Sequence, residues 1–211
     1  MMISFFNAFV KITAWPVQWL CFRIKVIYED KSAQGRHIKG SAIIISNHTS
    51  VFDYAVYLFV FFTRTLRFQM AEVLFKKKLL ALFLKCMGGI FVDRDSHNLG
   101  FIARSEEVLE RGGVVGVFPE GRLPRPGEER PLPFKTGAAY LALSSGAPII
   151  PVYTNGSYFR KSRAKVVIGT PLFAEDFLQN ELTDKEKIAF LSEALRKRII
   201  ELGEMLNDKT D

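Results

Sequence analysis

The sequence predicts an α/β fold: a mainly parallel mixed sheet flanked by helices, with an N-terminal apolar helical element ahead of it. Three observations carry that prediction. Ala42–Ser46 (AIIIS) and Val114–Phe118 (VVGVF) are short, nearly continuous apolar runs, as strands buried on both faces of a parallel sheet are. Helical stretches between such runs are closed by glycines, at Gly88-Gly89, Gly112-Gly113 and Gly146. Strand and helix signals then alternate along the chain, the pattern of a layered α/β sandwich. A length of 211 residues and 48% hydrophobic content suit one domain with a full core and exclude a disordered chain.

The elements follow in order. Residues 4–22 read as one or two helices, with Pro16 as the point of a break. Ile24–Tyr28 alternates as a strand does, and Asp30–Gly40 is a polar turn region. After the Ala42–Ser46 strand, a helix is expected from near Ser50 to about Phe62, with Asp53 in its first turns. Arg67–Met70 reads as a short strand and Glu72–Met87 as a helix carrying Lys76-Lys77-Lys78. A strand at Ile90–Val92 precedes a helix over His97–Glu110 and the strand at Val114–Phe118. A Pro-rich charged loop then runs from Pro119 to Pro133. Thr136–Ser145 is a helix, and Ile149–Tyr153 and Lys165–Gly169 are strands. Thr183-Asp184-Lys185-Glu186 is a capping box opening a last amphipathic helix to about Leu206. The expected division is residues 1–27 as the helical element and 28–211 as the α/β domain, with no repeat or linker between.

Charge and aromatic content narrow the partners. Lys and Arg number 29 against 22 Asp and Glu, a formal charge of +7 that suits an anionic surface. With no RNA-binding aromatic signature, zinc spacing or recognition helix, nucleic acid is set aside. The aromatic-rich start, with Trp15, Trp19 and several of the 19 Phe residues, fits the boundary between lipid headgroups and acyl chains. The alternative is an ordinary core helix pair bent at Pro16. The uncharged runs Ile12–Phe22 and Tyr54–Thr63 fall short of the ~20 residues of a membrane span. Lys11 and Arg23 interrupt a signal-peptide pattern. The expectation is peripheral or monotopic attachment at the cytoplasmic face. Lys11, Arg23, Lys25, Lys76–Lys78 and the Arg160-Lys161-Ser162-Arg163 run would lie near headgroups. Cys21 and Cys86, each in an apolar stretch, read as buried free thiols of a reducing compartment.

His48 stands between a buried strand and a helix, where open α/β sheets place their sites. Asp53 lies five residues on, and a helix beginning between them can curl its carboxylate back to the imidazole. The carboxylate would fix the ring's tautomer and leave the other nitrogen as a general base. Such a base can take the proton from an alcohol as it attacks a thioester. Ser46, Thr49 and Ser50 lack the glycines of a nucleophile elbow, which favours direct transfer over an acyl-enzyme. Taken alone, the pair also reads as a capping histidine and a structural acid.

Asn47-His48-x4-Asp53 resembles the first motif of the glycerolipid (lysophosphatidic acid) acyltransferase family. Gly89-Ile90-Phe91-Val92-Asp93-Arg94 looks like the second, Phe118-Pro119-Glu120-Gly121 like the start of the third, and Pro148-Ile149-Ile150-Pro151-Val152 like the fourth. Phe134-Lys135-Thr136-Gly137 is similar to the Phe-Lys-x-Gly element that follows the third block, and the likeness covers roughly residues 40 to 170. The resemblance implies transfer of a fatty acyl group from acyl-CoA or acyl carrier protein to the free hydroxyl of a membrane lysophospholipid, typically making phosphatidic acid. It implies His48 as the base and Asp53 as its partner. It implies substrate binding by Asn47, Arg94, Glu120, Gly121, Arg122 and Lys135, and neither metal nor redox cofactor. Arginine suits the acceptor's phosphate because its planar fork grips phosphate oxygens in pairs.

One departure bears on the acceptor. The family's third block continues Glu-Gly-Thr-Arg-Ser, whereas this chain reads Glu120-Gly121-Arg122-Leu123-Pro124-Arg125, with Leu123 at the expected arginine. A one-residue shift in an extended loop reverses side-chain direction. Either another cation among Arg122, Arg125 and Lys135 takes the phosphate, or the acceptor's headgroup differs. A catalytically weak lipid binder and a thioester hydrolase keep the same scaffold and stand as alternatives.

Overall fold

The computed structural model describes residues 2–93, 100–159, 163–177 and 183–208. Its elements in chain order are α1 (Met2–Phe22), β1 (Lys25–Tyr28), β2 (Ala42–Ser46), α2 (Asp53–Val60), β3 (Leu66–Ala71), α3 (Lys78–Met87), β4 (Ile90–Val92), α4 (Gly100–Glu110), β5 (Val114–Val117), α5 (Gly137–Ser145), β6 (Ile149–Thr154), β7 (Lys165–Ile168) and α6 (Asp184–Asp208). The seven strands form one sheet in the order β1-β7-β6-β2-β5-β3-β4. All neighbours are parallel except β6 and β7, so the sheet is mixed and mainly parallel, as expected.

β2 sits at the centre, wholly buried, between β5 and β6. Its side chains alternate across the sheet. Ile44 joins the core beneath α1, α2 and α3 with Tyr57, Phe61 and Phe68, while Ile43 and Ile45 join the core beneath α4, α5 and α6 with Leu141, Leu195 and Ile199. Gly116 of β5 lets the Phe68 ring lie on the sheet, since a Cβ there would stand 2.3 Å from that ring. The Thr183 capping box forms: the Thr183 N–H donates to Glu186 Oε2 at 2.9 Å, and Thr183 Oγ1 accepts from the Glu186 N–H at 3.4 Å.

Of the one or two helices expected over residues 4–22, the structure has one: α1 runs unbroken through Pro16, because residues on both sides of it, Lys11 before and Gln18 and Phe22 after, are buried against the domain. Three expectations are revised. The expected helix over Glu72–Met87 divides into a 3-10 turn at Glu72–Phe75 and α3 from Lys78, since Lys77 takes an extended backbone. α2 begins at Asp53 rather than Ser50, leaving residues 47–52 as a tight connection out of β2. Cys21 and Cys86 are free, but only partly buried. The amino end of the expected His97–Glu110 helix lies outside the described residues. No described helix is long and apolar enough to cross a membrane.

α1 is built inside out. Its fully covered residues are Asn7, Lys11, Gln18 and Phe22, while Met2, Phe5, Phe9, Ile12, Trp15, Trp19 and Leu20 face outward. Asn7 Nδ2 donates to the Met87 carbonyl at 3.1 Å, and Lys11 Nζ donates to the Phe62 and Arg64 carbonyls at 3.1 and 2.5 Å. Those two carbonyls follow α2, where a cation meets the negative end of the helix dipole.

Candidate active site

The connection from β2 to α2 brings His48 and Asp53 together. His48 Nδ1 lies 2.9 Å from Asp53 Oδ2, with Asp53 fully buried and the His48 side chain 20% exposed. The same Oδ2 accepts the Thr49 and Ser50 N–H groups at 2.7 and 2.9 Å. Oδ1 accepts Thr49 Oγ1 at 3.0 Å and the Tyr158 hydroxyl at 2.7 Å. The two backbone neighbours can only donate, so the carboxylate is the acceptor on the Oδ2 side. Nδ1 of His48 therefore carries the hydrogen, and Nε2 is left with its lone pair.

The imidazole is held on its other sides as well. Its ring stacks on Phe118, with centroids 4.2 Å apart and planes 15° from parallel. Glu120 bridges two loops: Oε1 accepts the His48 N–H at 2.7 Å and Oε2 the Leu132 N–H at 2.8 Å. Burial pushes the Glu120 carboxyl above its usual range, against the pull of those two N–H groups. Asn47 clamps β2 to β6, its Nδ2 donating to the Thr154 carbonyl at 2.8 Å and its Oδ1 accepting the Thr154 N–H at 2.9 Å. Asn47 and Glu120, expected to touch substrate, thus have their polar atoms on the protein's own backbone and set the position of His48.

The remaining expected residues are distributed as follows. Arg94 lies outside the described residues. Arg122 forms a two-pronged pair with Glu128 at 2.7 and 2.8 Å, which holds the Glu128 carboxyl down to about 2. Gly121 takes φ +71°, and Lys135 lies against it, with Cε 2.8 Å and Nζ 3.2 Å from where a Cβ would stand. Lys135 is exposed. Among the described residues no His, Cys, Asp and Glu side chains gather as a metal site would require.

Tyr158 and Thr154 were not singled out from sequence. Tyr158 gives its one hydrogen to Asp53, so its oxygen accepts from Thr154 Oγ1 at 2.9 Å, which in turn accepts the Gly156 N–H at 3.2 Å. Burial, and then the Asp53 carboxylate beside it, push the phenol pKa up and keep it a donor. The only signal for this relay in the sequence was the Asn155-Gly156 turn at the carboxyl end of a parallel strand, the edge where such folds gather their sites.

Fold and site together define an α/β enzyme with a histidine–aspartate pair at the carboxyl edge of a mainly parallel sheet. The family model described as "Acyltransferase" matches residues 14–155; the chain belongs to that family and is an O-acyltransferase. It is 34% identical over 147 residues to the 1-acyl-sn-glycerol-3-phosphate acyltransferase of Bacillus subtilis (strain 168), covering 67% of this chain and 71% of that protein. The protein of the same name from Haemophilus influenzae is 28% identical over 193 residues, 87% of this chain and 78% of its own. The crystal structure of the 1-acyl-sn-glycerophosphate (LPA) acyltransferase PlsC from Thermotoga maritima superposes with a TM-score of 0.64 at 22% identity. It covers 96% of this chain and 79% of that one, and it shows the same fold.

Proposed function

We propose that this enzyme transfers a fatty acyl group from acyl-CoA or acyl carrier protein to the free hydroxyl of 1-acylglycerol-3-phosphate, giving phosphatidic acid. The acceptor follows the name shared by the Bacillus and Haemophilus relatives. One observation carries the mechanism: Asp53 faces His48 Nδ1 at 2.9 Å within a cage of donors, which leaves Nε2 as the base. Nε2 takes the proton of the acceptor hydroxyl as its oxygen attacks the thioester carbonyl. The tetrahedral intermediate expels the thiolate, which receives that proton from the imidazolium, and an ester and a free thiol result. Asp53 stabilises the imidazolium between the two transfers. Lys135, exposed beside Gly121 and the Glu120 bridge, is the described cation best placed for the acceptor's phosphate, since Arg122 is engaged by Glu128.

The enzyme works from one face of a membrane, as a peripheral or monotopic protein. Support comes from α1 and α3, which lie side by side and turn Phe5, Trp19, Leu79 and Leu82 outward at 76%, 66%, 84% and 61% exposure. Acyl-CoA and acyl carrier protein are soluble cytoplasmic thioesters, which supports a site on that side.

The test is His48→Ala, assayed for thiol release and phosphatidic acid by mass spectrometry, alongside vesicle binding and thermal melting. Lost transfer with retained folding and vesicle binding is the expected result. Transfer at the wild-type rate would refute the mechanism. Free fatty acid released equally with and without acceptor would point to a hydrolase instead.

A further inference from the structure

A cavity of about 450 Å³ opens on the edge of the sheet opposite His48, lined by Ser4, Thr63, Thr65, Arg64, Arg67 and Arg111. Thr63–Thr65 immediately precede β3, and Arg111 immediately precedes the turn into β5, so the cavity lies at the amino ends of strands whose carboxyl ends face the active site. It takes no part in the chemistry above. Its three arginines face a single carboxylate, Glu107, leaving an excess of two positive charges.

The three guanidinium groups are held differently. Arg64 is fixed, donating to the Ile38 carbonyl at 2.6 Å and the Gly112 carbonyl at 2.5 Å. Arg67 lies across Gly88, its Cδ 2.6 Å from where a Cβ would be, and is half-buried. Among the described residues its guanidinium has no hydrogen-bond acceptor, and burial lowers its pKa. Arg111 reaches Glu107 only at 3.8 Å, with both side chains largely exposed. The Thr63 hydroxyl meets His37 Nδ1 at 2.9 Å, but a half-buried cation without an acceptor, a second cation only loosely paired, and the Ser4 and Thr65 hydroxyls form a donor set with little of its own to bind. That set matches the several acceptor oxygens and negative charge of a phosphate.

Ser4 belongs to the first turn of α1, beside the outward-facing Met2 and Phe5. On the membrane reading proposed above, which this step rests on, the cavity mouth lies at headgroup depth. We infer that the Arg64–Arg67–Arg111 cavity is a second phosphate-binding site, separate from the acceptor site, that takes a phosphate-bearing group such as the headgroup of an anionic lipid. Such a site would anchor the amino end of α1 while the carboxyl end stays beside His48.

The experiment compares wild type with Arg67→Gln, Arg111→Gln and the double variant. The control is Lys77→Gln, an exposed cation beside the outward-facing Leu79. Arg64 is left intact because its carbonyl bonds serve the fold. Binding is measured to phosphatidylcholine vesicles, to vesicles of phosphatidylcholine with phosphatidylglycerol, and to sn-glycerol 3-phosphate in solution, with melting temperatures recorded for each variant. If a lipid supplies the phosphate, each arginine substitution weakens binding to the anionic vesicles about fivefold and the pair about twentyfold. Neutral-vesicle binding stays unchanged, and Lys77→Gln has a smaller effect. If wild type ignores vesicles but binds sn-glycerol 3-phosphate, and the arginine variants lose that binding, the membrane reading fails while the cavity stands with a soluble ligand. Arginine variants of unchanged melting temperature that bind all three probes as wild type does would overturn the inference. So would an equal loss in Lys77→Gln, which would show diffuse surface charge rather than a site.

Discussion

Asp53→Asn separates the geometric role of this side chain from its charge. Oδ2 accepts three N–H groups, from His48 Nδ1, Thr49 and Ser50, while Oδ1 accepts two hydroxyls, from Thr49 and Tyr158. An asparagine can set its carbonyl on the three N–H groups and its NH2 toward the two hydroxyls, which rotate to accept. The fold and the His48 tautomer then survive, and only the negative charge is lost. At 2.9 Å, with an effective dielectric of about 20, that charge stabilises an adjacent imidazolium by at most ~6 kcal/mol. At ~1.4 kcal/mol per decade, kcat should fall by about 10³ to 10⁴. The assay follows thiol release from an acyl thioester with 1-acylglycerol-3-phosphate present, with thermal melting on the same preparation. A fall of less than about tenfold with an unchanged melting curve would refute an imidazolium in the rate-determining step. A melting point lowered by many degrees would refute the proposed turning of the two hydroxyls.

Three further outcomes follow from the same contacts. Tyr158→Phe removes one donor from Oδ1, keeps the ring's edge contact with Phe22 at 5.5 Å, and should lower kcat about tenfold on ~1–2 kcal/mol for the lost bond; unchanged kcat in steady-state kinetics would take Tyr158 out of the site. Gly156→Ala forces a side chain at φ +64° with its Cβ 2.5 Å from Thr49 Oγ1, so both melting temperature and kcat should fall, which calorimetry and the same assay check. Burial lowers the Lys11 pKa from 10.5 to about 8, so across that window the unfolded chain holds a proton that the folded chain does not, and stability should rise with pH there. Lys11→Met should flatten that slope in urea titrations at successive pH values, and an unchanged slope would count against burial of the ammonium as its cause.

What the sequence disclosed depended on how local each feature is. β2 and β5 were legible because a strand buried on both faces must be apolar throughout, and the structure buries every residue of both. His48 and Asp53 were legible as a pair because five residues separate them and one turn closes the distance. The Glu120 bridge to the His48 N–H spans 72 positions and the Tyr158 bond to Asp53 spans 105, distances over which neither periodicity nor a short motif speaks. Family likeness pointed to Glu120 without its task, which is to hold a backbone. The unbroken α1 was hidden for a related reason. Pro16 removes a helical hydrogen bond, but Lys11, Gln18 and Phe22 are covered by the domain on either side of it, and those contacts outweigh the local propensity.

The choice between an interface element and an ordinary core helix for α1 turns on what it buries. A core helix buries its apolar stripe and shows its polar face to water. α1 does the reverse over most of its length, and its buried polar groups are aimed at particular partners. Lys11 donates to the carbonyls of Phe62 and Arg64 just past the end of α2, the helix whose first residue is Asp53. At its other end Phe22 packs with Tyr158 at 5.5 Å, Phe52 at 6.0 Å and Phe159 at 5.0 Å, around the start of α2. Both ends of α2 are therefore braced by the outward-facing helix, one through a buried ammonium and one through an aromatic cluster. A force that tilts α1 reaches the Asp53 end through Phe22 and Tyr158, and the far end through Lys11. The outward-facing apolar surface of α1 and the carboxylate beside His48 thus belong to one mechanical unit.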